Sequence, residues 1–243
     1  MIKRIKTINF YIAKELAEFF EMAVAYPKDI IVLQEKIPPS KEEVRRYRLI
    51  LNGNRQVSTF GELWTVKYEP SVTKSTALSL GGLHPHTDGS FLEEPPSRYT
   101  LSFIQNDLGG GGVSTFFSLF DILAAAPDWT LNAFYTASYL FVRTYDGDLT
   151  DSVIAPILDI DNNGNPRIRW RADDIFRPKV VNDKGTRAEE AVLWLQNFLK
   201  AYQPVTYSAK SGETLLIPNN TILHGRTALS ENSKREVLRV WIK

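Results

Sequence analysis

The chain has 243 residues, and its 29 Lys and Arg against 28 Asp and Glu leave a formal net charge of +1. With 43% hydrophobic and 12% aromatic residues it can build a sizeable core, which argues against disorder, and the balanced charge argues against a nucleic-acid-binding protein. Cysteine is absent and there are only three histidines, so disulfides, thiolate metal sites and a Cys nucleophile are excluded, and the composition predicts a cytoplasmic protein.

The start, Met1 to Lys6, carries the charges of a secretion signal, but Lys14 and Glu15 interrupt the apolar stretch and no small-residue cleavage site follows. No apolar run approaches the roughly 20 residues of a membrane span. Residues 12–25 place apolar groups at helical spacing and predict an amphipathic helix. Residues 28–34 predict a short buried strand. Glu42 to Leu51 predicts a second helix, ended by Asn52-Gly53-Asn54. From about residue 63 the texture changes to short apolar runs broken by Gly and Pro. Tyr99 to Gln105 and Val113 to Phe117 predict strands on either side of a loop with glycine at 109–112. Leu119 to Ala126 predicts a helix stopped by Pro127. Residues 156–161 and 167–171 flank Asn162-Asn163-Gly164-Asn165, a hairpin signal. On the second of these strands Arg167, Arg169 and Arg171 alternate, which predicts a solvated face. Residues 189–202 predict a third amphipathic helix. Thr214 to Ile217 and Glu236 to Ile242 predict the last strands. A few helices around many short strands predict one α+β, mainly β domain over residues 1–243, a β-sandwich or jelly roll.

The segment Leu83-His84-Pro85-His86-Thr87-Asp88 carries the most chemistry. In extended chain, residues i and i+2 project to one side, so His86 and Asp88 can offer an imidazole and a carboxylate to one point. An H-x-D triplet is common by chance; a third ligand must come from elsewhere, and the only distant histidine is His224. Two His and one carboxylate leave a face of an octahedral metal open, as in non-haem Fe(II) oxygenases. His84 competes as a ligand only if Asp88 is idle. Beyond His224, strand alternation puts Arg235, Val237, Arg239 and Trp241 on one face and Leu238, Val240 and Ile242 on the other. The aliphatic face should pack under helices. The arginine face should then look into a cavity where anions meet it.

Two blocks, roughly residues 83–121 and 211–242, resemble the TauD/TfdA group of Fe(II)- and 2-oxoglutarate-dependent dioxygenases. His86-Thr87-Asp88-Gly89-Ser90-Phe91 is similar to the family's H-T-D-x-x-F segment, and Gly111-Gly112-Val113-Ser114 to its G-G-x-[S/T] turn. Residues 212–226 resemble its G-[D/E]…N…L-H-G-R run, with Arg235 and Arg239 at the family's offsets of eleven and fifteen past the distal histidine. The resemblance implies a double-stranded β-helix (jelly-roll) core with flanking helices. It implies Fe(II) on His86, Asp88 and His224, with O2 and 2-oxoglutarate as cosubstrates. Arg235 would hold the distal carboxylate of 2-oxoglutarate, helped by Ser114, or by Thr115 if the register slips by one. Arg239 would meet the cosubstrate's iron-side carboxylate or an anionic group of the substrate.

The implied activity is hydroxylation of an unactivated C–H bond in a small molecule such as an amino acid or organic acid, with succinate and CO2 as co-products. Desaturation or cyclisation by the same chemistry, and a non-catalytic ligand-binding protein on this scaffold, stay open; Asp88 in the carboxylate position disfavours a halogenase. Neither a nucleic-acid nor a membrane partner is expected, and a homo-oligomer stays open. Trp64, Tyr68, Arg98, Arg143 and Trp170 are unranked candidates for a substrate pocket. Asn219 and Asn220 are expected to shape the turn before His224, and Arg226 to brace the site through an ion pair.

Overall fold

A computed structural model describes residues 8–52, 63–70, 76–145, 148–161, 164–173 and 176–243. The charged N-terminal segment, the Gly53-Asn54 stop and Asn162-Asn163 of the hairpin turn lie outside the described residues.

Two sheets face each other. The larger is six-stranded, in the order β1 (Phe10–Ala13), β2 (Ile30–Gln34), β13 (Glu213–Pro218), β5 (Arg98–Gln105), β15 (Glu236–Ile242), β3 (Trp64–Lys67). The smaller is four-stranded, in the order β12 (Val205–Tyr207), β6 (Ser114–Ser118), β14 (Ile222–Arg226), β4 (Leu83–His86). The residues between them follow from period-two alternation. Tyr99, Phe103, Leu215, Ile217 and Val237 of the larger sheet pack in one cluster with Phe116 and Ile222 of the smaller. This is the expected jelly-roll core.

Helices cover the outer faces. Helix α1 (Leu16–Ala25) packs Phe19 and Ala23 with Ile31, Leu33, Leu216 and Ile242, and α2 (Lys41–Leu51) packs Val44 with Leu238 and Val240. The aliphatic face of β15 thus lies under helices, as the alternation predicted. Ser40 starts α2 in a capping box with Glu43, which satisfies two of the donors a helix N-terminus leaves free. On the far side, Phe117 and Leu223 of the smaller sheet pack with α3 (Leu119–Ala125), α4 (Asp128–Thr136) and α5 (Ala188–Ala201). No helix among the described residues is long and apolar enough to cross a membrane.

The structure corrects two expectations, on the first helix and the arginine face, and adds two features that were not expected. The first helix begins at Leu16, not residue 12: Phe10 to Ala13 pair in parallel with Ile30 to Leu33, and the backbone N–H of Lys14 donates to Glu18 where the chain turns into the helix. Pro127 ends α3 but also opens α4, because its fixed φ suits a helix start. The hairpin β7 (Ser138–Tyr145) with β8 (Asp148–Ala155) and its third strand β11 (Lys179–Asn182) was not predicted, although Asp146-Gly147 between the first two strands is a hairpin signal in the sequence. Finally, the arginine face at 167–171 is not solvated as a unit. Arg167 pairs with Asp159 across the hairpin of β9 (Leu158–Ile160) and β10 (Pro166–Ile168). Arg169, however, donates to the carbonyls of Ser90, Leu92 and Glu93, and burial pushes its guanidinium down to about 10. Arg171 pairs with Asp173 and lies 4.0 Å over the Phe176 ring. Arg169 therefore ties down the turn that follows Asp88.

Candidate metal centre

The site lies where the two sheets meet near the end of β4. His86 and His224 are direct partners in the β4–β14 pairing, so their rings stand side by side, with centroids 4.2 Å apart. Asp88 follows in the turn after β4. One ligand atom from each of His86, Asp88 and His224 lies within 4.8 Å of the others, the one such cluster of three among the described residues, and all three residues are buried. Nε2 of His86 is 3.6 Å and Nε2 of His224 4.0 Å from Asp88 Oδ1. Both separations exceed a good hydrogen bond and suit donors that face a shared ion.

The surroundings fix the chemistry of each donor. His86 Nδ1 is 2.9 Å from the His84 carbonyl, and since a carbonyl only accepts, that nitrogen carries a proton and Nε2 is the atom turned to a shared ion. Burial, and next the adjacent His86, push His224 well below its ordinary pKa, so it is a neutral imidazole. Its ring lies against Tyr99, centroids 4.5 Å apart. Burial pushes the Asp88 carboxyl up, but the Arg239 guanidinium and the two imidazoles more than offset this and hold it well below the usual carboxylate range. Two imidazole nitrogens and one carboxylate, buried and converging, form a donor set that suits a divalent transition metal. His224 Nδ1 is buried without a partner among the described residues. His84 is exposed and stands outside the cluster, so it is not brought to the site.

The turn that carries Asp88 is held by Asn219. The Asn219 Oδ1 accepts from the Asp88 backbone N–H at 2.8 Å, and its Nδ2 donates to the carbonyls of Asp88 at 2.9 Å and Pro96 at 2.8 Å. The residue expected only to shape its own turn thus clamps a ligand's backbone from 131 residues away. Asn219→Ala should leave buried backbone groups unpaired and cost on the order of 3 kcal/mol. A thermal melt should show Tm lower by roughly 6–12 °C; an unchanged Tm would remove this role.

The arginines separate into two settings. Arg239 donates from Nη1 to Asp88 Oδ1 at 2.9 Å, and the Trp241 indole donates to Asp88 Oδ2 at 2.7 Å. The anion that meets Arg239 in this structure is therefore Asp88. Arg235 is buried beside Phe103, its guanidinium carbon 5.2 Å from the ring centre, and burial, then Arg226, push it down to about 10. Its Nε has no hydrogen-bond partner among the described residues. A buried guanidinium with an idle donor suits a carboxylate ligand. Strand alternation sends Ser114 to the side of Phe116, which packs with Phe103, while Thr115 and Phe117 line a separate cavity of about 280 Å³ on the other face. Alternation thus sets Ser114, and not Thr115, on the face of Phe116. Arg226 donates to the carbonyls of Gly81 and Ser79, at 2.6 and 2.7 Å.

Of the five pocket candidates, Trp64 and Arg143 come near the site. Arg239 stacks 4.8 Å over Trp64, and Arg143 lies 5.8 Å from Trp64 and 5.3 Å from Phe91. Arg98 points away to the Ala23 carbonyl, and Trp170 is sealed in the outer core. Tyr68 is half-buried just beyond β3. Sequence reading had assigned no role to Trp241 or Tyr99, although Trp241 was already on the arginine face.

The model of the family described as "Taurine catabolism dioxygenase TauD, TfdA family" matches residues 28–241. A search of curated proteins finds no match. Among solved structures, the chain is similar to asparagine oxygenase in complex with Fe(II), (2S,3S)-3-hydroxyasparagine and succinate, with 20% identity, a TM-score of 0.66, and coverage of 93% of this chain and 77% of that one. It is similar to PvcB from Pseudomonas aeruginosa, with 20% identity, TM-score 0.65 and coverage of 91% and 77%. It is also similar to the non-haem iron oxygenase OrfP in complex with Fe, succinate and (3S)-hydroxy-L-Arg, with 15% identity, TM-score 0.67 and coverage of 93% and 78%.

Proposed function

The chain belongs to the TauD/TfdA family of dioxygenases, and from that premise we propose that it hydroxylates a small carboxylic acid, an amino acid or a related organic acid. The observation that carries the reading is the convergence of one ligand atom from each of His86, Asp88 and His224 on one point, all three residues buried. We read residues 1–243 as one such domain. Iron(II) would be held by these three side chains, and 2-oxoglutarate by Arg235 with Ser114. Together with O2 they supply an oxidant for a C–H bond, and the stoichiometry is one substrate, one 2-oxoglutarate and one O2 to one alcohol, one succinate and one CO2.

The protein's own part is positioning. The neutral His224 and the ionised Asp88 present lone pairs without first losing protons, and the His84 carbonyl orients the His86 ring. Arg235 offers a planar fork to the distal carboxylate in a site that excludes water. Trp64 lies 4.8 Å from the Arg239 guanidinium and places flat apolar surface beside the residue that holds Asp88, while Arg239 itself pairs with Asp88 and Arg143 with Asp151. The acidic class is supported by the hydroxyamino acids bound by the structural neighbours.

Gly112 tests the cosubstrate half. It sits at φ +67°, and a Cβ there would meet Leu229 Cδ2 at 2.7 Å and Arg235 Cδ at 2.9 Å. Gly112→Ala should displace Arg235 and raise the apparent KM for 2-oxoglutarate about tenfold, or about 1.4 kcal/mol, with kcat less affected. Steady-state kinetics at saturating substrate checks this; an unchanged KM would remove Arg235 from the cosubstrate site. The substrate class is tested by incubating Fe(II)-loaded protein, 2-oxoglutarate and O2 with panels of amino acids and carboxylic acids. A product one oxygen heavier is expected from an acid; exclusive turnover of neutral or cationic compounds lacking a carboxylate would contradict the class.

A further inference from the structure

We propose that Trp241 is a positioning residue for the metal: its indole holds Asp88 by Oδ2 and thereby assigns Oδ1 to the ion. The proposal rests on the reading of His86, Asp88 and His224 as the metal site.

The two carboxylate oxygens have different surroundings. Oδ1 faces the Nε2 atoms of His86 and His224, at 3.6 and 4.0 Å, and accepts from Arg239. Oδ2 accepts the indole N–H at 2.7 Å, a short bond from a partly buried side chain that packs with the core between the sheets. Asn219 already fixes the Asp88 backbone through its N–H and its carbonyl. What remains is rotation of the carboxyl group, which the indole at Oδ2 sets together with Arg239 at Oδ1.

The same strand pair supports a second ligand. Trp241 of β15 stands directly opposite Tyr99 of β5, and Tyr99 is the ring against which His224 rests. One cross-strand pair on the larger sheet therefore orients two of the three ligands, which come from the turn after β4 and from the smaller sheet. The chemistry of indole suits the task. It is a donor only, so it cannot compete with the carboxylate for the metal, and it does not titrate at any pH where the protein is folded. It is also neutral, so it grips the outer oxygen without placing a further positive charge beside a dication.

The test is anaerobic Fe(II) binding to the unmutated protein, Trp241→Phe and Trp241→Gln, with visible spectra of the Co(II)-substituted forms as a report on coordination. Trp241→Phe keeps a ring but has no donor, and it should weaken Fe(II) about 10–100-fold, the usual cost of losing a partner of a metal ligand, and change the Co(II) spectrum. Trp241→Gln restores an N–H and should recover part of the affinity, which a purely packing role would not allow. Trp241→Leu replaces Trp241→Phe as the donor-less variant if the latter does not fold. Fe(II) affinity and a Co(II) spectrum unchanged in the donor-less variant would overturn the proposal. Wild-type affinity in His224→Ala would instead overturn the metal-site reading beneath it, and the proposal with it.

Discussion

His224→Ala is expected to abolish Fe(II)-dependent succinate formation, by a factor of about a thousand or more, which corresponds to roughly 4 kcal/mol at the transition state. The ring supplies one of only three donors in the cluster, and no other histidine of the chain can replace it. Iron content should fall with activity. The loss should not come from unfolding, since β14 keeps its pairing to β4 and β6 through backbone bonds that Ala preserves. His84→Ala is the matched control. Its side chain is exposed, and it is the His84 carbonyl that holds His86 Nδ1, so the substitution should leave iron and turnover near wild type. Loss of iron in His84→Ala with retention in His224→Ala would reverse the assignment of ligands.

Arg235→Ala carries the second large effect. Its guanidinium is buried, with Phe103 beneath it, Gly112 against its aliphatic stem and an idle Nε. Losing one partner of a buried charge-assisted contact costs on the order of 2–5 kcal/mol. The apparent KM for 2-oxoglutarate should therefore rise about 30-fold or more at 1.4 kcal/mol per decade. Arg235→Lys should recover only part, because an ammonium cannot make the two-pronged contact. Arg167→Ala should change this KM little, since Arg167 pairs with Asp159 on the distant hairpin. Equal KM values for Arg235→Ala and the unmutated protein would exclude Arg235 as the carboxylate clamp.

The parts legible in the sequence are those set by local spacing. His86 and Asp88 meet at one point, as their spacing predicted, although only His86 is in extended chain and Asp88 is held in the following turn by Asn219. The alternation of β15 divides its side chains as predicted: Leu238, Val240 and Ile242 lie under helices and Arg239 and Trp241 face the site. What stayed hidden depends on contacts between distant segments. The Trp241–Asp88 bond spans 153 positions and the Asn219–Asp88 clamp 131. Nothing in a tryptophan's neighbours on its own strand says which oxygen it will meet. Arg169 misled for a related reason. Its alternation with Arg167 and Arg171 looks like a solvated face, but the turn after Asp88 folds over it and satisfies its donors with carbonyls. At Pro127 the sequence rule was right about the end of one helix and silent about the start of the next, since one fixed φ serves both.

The central claim is that Fe(II) on His86, Asp88 and His224 couples O2 to the oxidative decarboxylation of 2-oxoglutarate. It is tested most directly by measuring succinate formed per O2 consumed, in Fe(II)-loaded protein and in the His224→Ala variant, with anaerobic samples as blanks. The account predicts one succinate per O2 in the unmutated protein, none without O2 and none above background in the variant. Succinate formed without O2, or formed equally by the variant, would contradict it.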